Sequence, residues 1–488
     1  MKKINIFSGV AFLAMGVFGA VELASPFADG MVLQRDVEVP VWGTASAGET
    51  VNVSFAGAQV KTVAAADGSW KVKLPKMSAS KESRTLKANE AEIKDVLVGE
   101  VWFCAGQSNT ELPLVGNSPR FFDRQGRLVA QMTHNPYLRF VHASNYKWSV
   151  EPKKKPSYKV EWKKFTTENL MSGRSFSAMG VYFVLDLYAA LDIPVGIVGT
   201  YWGGTRIEPW TPRCGFENFK GLEDVANTKI LPPSDEAFQA PKGQKPKKRG
   251  HQQPTVLWNE MVESWCPMAM RGFIWYQGCS NNGDGKRYKL KMQALREGWA
   301  KKFENPGLKL YFVQLAPFSR SWFDLQLGQA EYAAEDKYAG MVTTCDIGNT
   351  WDIHPAEKGT IGKRLAAMAL SRDYGISAIK AETPVLKSAT AKDGKAFLAF
   401  THAEGWYVYS DNRSVEVPFE LADEDGKWAK AKLVNVNGNG SVNGAELVLQ
   451  AEGVAKPVKV RYLFNSPWIG NVYSNWGIPI GPLMSDVK

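Results

Sequence analysis

The chain is poor in cysteine and histidine. Five cysteines, Cys104, Cys214, Cys266, Cys279 and Cys345, are scattered through 488 residues. They are too few for a disulfide scaffold and lack the spacing of a zinc site, so neither a cystine-stapled fold nor a bound metal is expected, and no cofactor is implied. Their odd number leaves at least one thiol unpaired unless the chain pairs with another. After the first twenty residues no apolar run is long enough to span a bilayer, and there is no internal repeat or low-complexity tract. The first twenty themselves hold two lysines, then an apolar stretch ending in small residues. That is the pattern of a secretory signal peptide over residues 1–20, and it predicts an exported chain, periplasmic or secreted.

A formal charge of +10 would suit an anionic partner, but the excess is concentrated in clusters such as Lys153-Lys154-Lys155 and residues 242–249. The second contains Pro and Gly and reads as a solvated loop, so no nucleic-acid partner is expected, although an acidic sugar would be attracted.

Hydrophobic period divides the rest. Residues 21–95 alternate in short runs such as Val51-Asn52-Val53-Ser54-Phe55, separated by glycine turns, which predicts a small β-sandwich. Over 96–375 strands alternate with longer helical segments, the pattern of an α/β domain with a largely parallel sheet. Helices are expected over 177–191, 256–270, 286–302, 325–338 and 355–372, and strands over 98–104, 194–199, 272–276, 309–314 and 341–345. From 376 to 488 alternation returns, predicting a second β-sandwich. Ligands of open α/β sheets bind at the carboxyl ends of the strands, so polar residues at those ends should converge.

Four such ends carry unusual residues. Gly106-Gln107-Ser108-Asn109 follows the first strand, where a serine on a strand-to-helix turn would expose its hydroxyl as a nucleophile for acyl transfer; the same residues also suit a plain turn or helix cap. Trp202-Gly203-Gly204-Thr205 ends the second, with glycines that allow close backbone approach and an exposed N–H. Trp275-Tyr276-Gln277-Gly278 ends the third, where the Gln277 amide could donate to an oxyanion. Asp352-Ile353-His354-Pro355 follows the last and holds one of only five histidines.

In this order the motifs resemble the sialate O-acetylesterase family, carbohydrate esterases of the SGNH-hydrolase superfamily. The segments Phe27 to Arg35, Val41-Trp42-Gly43, Val460-Arg461-Tyr462 and Gly477-Ile478-Pro479 extend the likeness over nearly the whole mature chain. The resemblance implies a flavodoxin-like three-layer α/β/α domain flanked by β-sandwich modules, and a serine esterase that removes O-acetyl groups from sialic acids. Ser108 would be the nucleophile, His354 the base and Asp352 its orienting acid, with Asp346 as the competitor for that last role. The oxyanion would be held by the N–H groups of Ser108 and of Gly203 or Gly204, and by Gln277. Asn109, Trp202 and Arg206 are candidate substrate contacts, Arg206 for a sugar carboxylate. An O-deacetylase of another glycan such as xylan, or a glycan-binding protein on a decayed esterase fold, are the alternatives. Two positions depart from the family: Cys279 stands where it usually has glutamate, and Thr110 where it often has methionine.

Overall fold

The computed structural model describes residues 20–488 apart from 117–122, 124, 173–175, 218, 240–247, 320–321, 410–415 and 465–467. The expected leader therefore lies outside the described residues except for Ala20, and so does most of the basic stretch 242–249.

The sheet that positions the site has six parallel strands: β1 (Ala91–Gly106), β2 (Asn135–His142), β3 (Val195–Tyr201), β4 (Gly272–Tyr276), β5 (Lys309–Val313) and β6 (Ala339–Val342). Their spatial order is β2-β3-β1-β4-β5-β6, with Lys163–Phe165 added antiparallel beside β2. The direction of winding changes at β1, which has β3 on one side and β4 on the other, and that is where an α/β sheet opens a crevice. Strands β3 and β4 end level with β1, since Tyr201 and Tyr276 both pair with Gly106.

Burial along β1 explains its length. Residues 91–95 alternate between exposed and half-buried, and everything from Val96 to Gly106 is buried. The first part pairs with Ser80–Ala88 and the middle with Val32–Gln34, so one strand serves both the amino-terminal β segment and the parallel sheet. The expected boundary near residue 95 falls inside this strand, and one apolar core extends from Val21 to Ala381.

The helices that bear on the site are α1 (Ser108–Glu111, one turn) and the longer α2 (Ala178–Leu191), α3 (Tyr288–Lys302), α4 (Phe323–Glu335) and α5 (Lys358–Asp373). Consecutive residues of a strand face opposite ways. Trp102 of β1 lies against Phe183 of α2, ring centroids 5.1 Å apart, while Phe103 lies against Trp299 of α3 at 6.0 Å. Helices thus pack on both faces of the sheet. Close approach of α5 to α2 depends on Gly362, where a Cβ would stand 2.6 Å from Met179 O.

Two expectations differ. The helix expected over 256–270 is shorter and irregular: a π-helical stretch, Trp258–Val262, runs into a 3-10 turn, Glu263–Trp265, and ends before Pro267. Strand β2 was not expected, since Arg139 interrupts its apolar run; that arginine is nonetheless buried and paired with Asp95.

The carboxyl-terminal segment forms a seven-stranded antiparallel sheet from Val385 to Asp486 and a two-stranded ribbon, Trp406–Val408 with Val472–Ser474. It has its own apolar core.

Beneath the site, the fully buried Glu100 accepts from Gln34, Arg35 and Arg271 at 2.6 to 3.0 Å. Burial opposes its charge, but these bonds outweigh burial and hold the carboxyl below the usual range. Glu100→Ala is expected to cost about 3 kcal/mol of stability, the low end for breaking a buried pair because both arginines keep some solvent. Urea unfolding at pH 7 checks this.

Candidate active site

Ser108 is presented by a turn only glycine can make. Gly106 has φ +144°, and a Cβ there would stand 2.5 Å from Tyr276 O. Gln107 then anchors the turn to β4: its N–H donates to Tyr276 O at 3.1 Å and its Oε1 accepts from Gly278 N–H at 3.2 Å. Thr110, fully buried, donates its hydroxyl to that same Tyr276 carbonyl at 3.1 Å, a contact methionine would not make.

His354 Nε2 lies 2.9 Å from Ser108 Oγ, and its Nδ1 lies 3.1 Å from Asp352 Oδ1. A carboxylate can only accept, so Nδ1 carries the proton and Nε2 accepts from the serine hydroxyl. The i, i+2 spacing works because Asp352 sits in a turn. Its N–H donates to Asn349 O at 2.9 Å, and its Oδ1 also accepts the His354 backbone N–H at 3.0 Å. Asp346 points elsewhere: it is bidentate to Arg364 at 2.8 and 2.6 Å and accepts from Tyr473. Burial, then the positive charge of Lys358, lowers the His354 pKa from its ordinary value, outweighing Asp352, which raises it.

Gly203 lies beside the serine; a Cβ on it would stand 3.3 Å from Ser108 Cβ. Its N–H donates to Glu111 Oε2, and Tyr146 donates to the other oxygen of that carboxylate. Gly204 has φ +74° and open space around it.

Three expected site residues have other partners. Gln277 is fully buried; its amide nitrogen donates to Thr205 O at 3.0 Å and Asn281 Oδ1 at 2.8 Å, and its oxygen accepts from Tyr288. It braces the glycine loop from behind, and both its donors are engaged. Arg206 is bound to Glu208 and Asp284, and Lys291 binds the same two carboxylates at 2.7 and 2.6 Å. Against burial, Arg206 and Lys291 hold Glu208 down at about 2. The guanidinium of Arg206 is thus paired within the protein, with 39% of its side chain still exposed. Asn109 is buried, donating to Ile353 O at 2.9 Å and accepting from Lys358 Nζ at 2.6 Å, so it joins two loops instead of facing substrate.

Trp202 remains at the surface of the site, stacked on His251 at 4.6 Å and edge-on to Tyr146 at 5.6 Å. Trp351, two residues from Ile353, is 84% exposed, whereas Trp210, Trp275 and Trp322 are buried packing. Burial pushes the Cys279 thiol up to about 12, which keeps it neutral. Among the described residues no group of three His, Cys, Asp or Glu could hold a metal ion.

Sequence reasoning missed Glu111 and Lys358. Helical spacing is a signal for Glu111 alone, three residues after Ser108 in α1; His354 lies outside α5, so spacing offers none for Lys358.

Residues 98–371 match the family described as carbohydrate esterase, sialic acid-specific acetylesterase. Among curated proteins, the chain is 26% identical to human sialate O-acetylesterase over 462 residues, covering 85% of this chain and 83% of that one. It is likewise 26% identical to the rat sialate O-acetylesterase, covering 87% and 86%. Among solved structures, a carbohydrate acetylesterase from Xanthomonas citri superposes with a TM-score of 0.80 at 29% identity, covering 96% of this chain and all of that one.

Proposed function

Since the chain belongs to the sialic acid-specific acetylesterase family and is a carbohydrate esterase, we propose that it removes O-acetyl groups from sialic acids through an acetyl-serine intermediate. The observation that carries this reading is the unbroken chain from Ser108 Oγ through His354 to Asp352. His354 takes the hydroxyl proton as Ser108 attacks the acetyl carbonyl, then returns it to the departing sugar hydroxyl. Water repeats the attack with His354 again as base, and acetate leaves. The oxyanion is met by the Ser108 N–H, at the start of α1 where no helical acceptor exists, and by the Gly203 or Gly204 N–H. Glu111 holds the Gly203 donor in this structure, so the acetyl oxygen has to displace it. Losing one such donor costs roughly 100- to 1000-fold in rate.

The catalytic part is read as the three-layer SGNH arrangement over 96–375, with β modules at 21–95 and 376–488. The chain is read as exported to the periplasm or medium. No helix among the described residues is long and apolar enough to cross a membrane.

A second substrate reading, a neutral acetylated glycan, is favoured by Arg206, whose guanidinium already pairs with Glu208 and Asp284. Exposed Trp351 would suit stacking on either sugar. Acetate release from 9-O-acetylated sialic acid and from acetylated xylan separates the readings. Release from the sialic acid is expected; release from xylan alone would change the substrate, and release from neither would sink the esterase proposal for these glycans.

The rate should also report His354. The neutral ring is the base, and its pKa lies below its ordinary value, so the midpoint of the acid limb of kcat/KM is expected below the imidazole's ordinary ~6.5. A pH profile with its acid limb above 6.5 would contradict the assignment.

A further inference from the structure

Lys358 is an anomaly in the mechanism above. It opens α5, is 1% exposed, and plays no part in the chemistry as described. Burying an ammonium is costly unless it is paired and hydrogen-bonded. Its one hydrogen bond among the described residues goes to the Asn109 amide oxygen at 2.6 Å, and its Nζ lies over the Tyr276 ring, 5.4 Å from the centroid. Asn109 in turn donates to the carbonyl of Ile353 at 2.9 Å. Asn109 follows the nucleophile in sequence, and Ile353 precedes the base.

We propose that Lys358 is a positioning residue for the Ser108 and His354 pair, acting through Asn109 as a bridge that ties the serine turn to the histidine loop. The two loops lie 244 residues apart in the chain, counted from Asn109 to Ile353, and among the described residues no strand pairing joins them. An amide can turn or slip; an amide whose oxygen is fixed by a buried cation keeps its N–H aimed at Ile353 O. The distance between Ser108 Oγ and His354 Nε2 then follows from the bridge.

The same charge acts on the base. Lys358 is the second cause, after burial, of the lowered His354 pKa. Burial also lowers the Lys358 pKa, to about 7, against the charges of Asp123, Glu357 and Asp352 and the nearby Cys279 thiol, which all raise it. These groups, with His354 and the Tyr276 ring, are the titratable and charged neighbours that face it.

The inference rests on the serine-esterase reading for what the pair does, so its test has one arm that does not. In the full chain, Lys358→Met, Asn109→Ala and the double variant are compared by kcat and KM on 4-nitrophenyl acetate, with thermal unfolding confirming that each is folded. The His354 ring is titrated by NMR. Each single variant is expected to lose about 100-fold in kcat with KM unchanged, the scale of an ångström-sized misplacement. The double variant should lose no more than about threefold beyond the worse single, because both act through one bridge. Lys358→Met should also move the His354 titration up, as loss of a nearby positive charge requires. A merely structural lysine would change unfolding temperature and leave kcat of the folded variant in place. A folded Lys358→Met or Asn109→Ala protein within about threefold of the parent kcat would overturn the proposal, as would losses that multiply in the double variant. Should the parent chain hydrolyse no ester, the esterase reading fails by itself. The NMR midpoint then decides alone: an upward shift in Lys358→Met upholds the coupling and an unmoved midpoint ends it.

Discussion

Ser108→Ala is expected to lower kcat on an acetyl ester by on the order of 10⁴- to 10⁶-fold, leaving only what the oxyanion donors and binding supply. His354→Ala should fall to about the same floor, and the double variant no lower, because a nucleophile without its base and a base without its nucleophile are equally idle. The geometry behind this is the 2.9 Å contact between Oγ and Nε2 with Nδ1 already protonated toward Asp352. Among the described residues, the thiols nearest the serine turn are poor nucleophiles: Cys104, on β1, and Cys279, after the Gly278 that bonds the turn, both have pKa values pushed up to about 12 and almost no thiolate at neutral pH. Acetate release by the purified variants is the measurement. A Ser108→Ala protein keeping a tenth of the parent rate would mean that another group attacks the ester.

The chemistry was legible because it stands at strand ends. Solidly apolar runs such as Gly272–Tyr276 and Val195–Tyr201 are buried on both faces, and each stops where polar residues and glycine begin. A serine, a glycine pair and a histidine after such runs are brought to one crevice by the order of winding. What the residue types could not tell was the direction in which a polar side chain points. Gln277 and Arg206 lie in the right loops but are held by a network with Asn281, Glu208, Asp284 and Lys291. Asn109 likewise faces a neighbouring loop. Glu111 and Lys358 escaped notice for the converse reason: a charged residue in a first helical turn reads as solvated surface, and only the fold shows what it meets. That β1 runs unbroken through residue 95 was invisible, because its change from alternating to fully apolar reads as a boundary.

The choice between Asp352 and Asp346 yields the second large effect, because the two carboxylates do different work. Asp352 holds the His354 ring and backbone N–H through one oxygen, and its side chain keeps 31% exposure, so water can partly replace it. Asp352→Ala is therefore expected to lose on the order of 10³-fold in kcat, short of the 3 × 10⁴ scale that a removed triad acid can reach, with little change in stability. Asp352→Asn should lose less, since its amide oxygen can still accept both N–H groups. Removing the carboxylate also removes a charge that raises the His354 pKa. The acid limb of the pH profile should thus move down, opposite to the effect expected for Lys358→Met. Asp346→Ala should show the reverse pattern. It strands Arg364, whose guanidinium has 18% exposure, beside the core, at a cost of about 3 kcal/mol. Once folded, it should keep kcat within a few-fold, since Arg364 and Tyr473 are its partners and His354 is not. Urea midpoints and pH profiles of the three variants together distinguish the roles. If Asp346→Ala lost activity while folded and Asp352→Ala did not, the orienting acid would be Asp346, reached through a movement of the loop that carries His354.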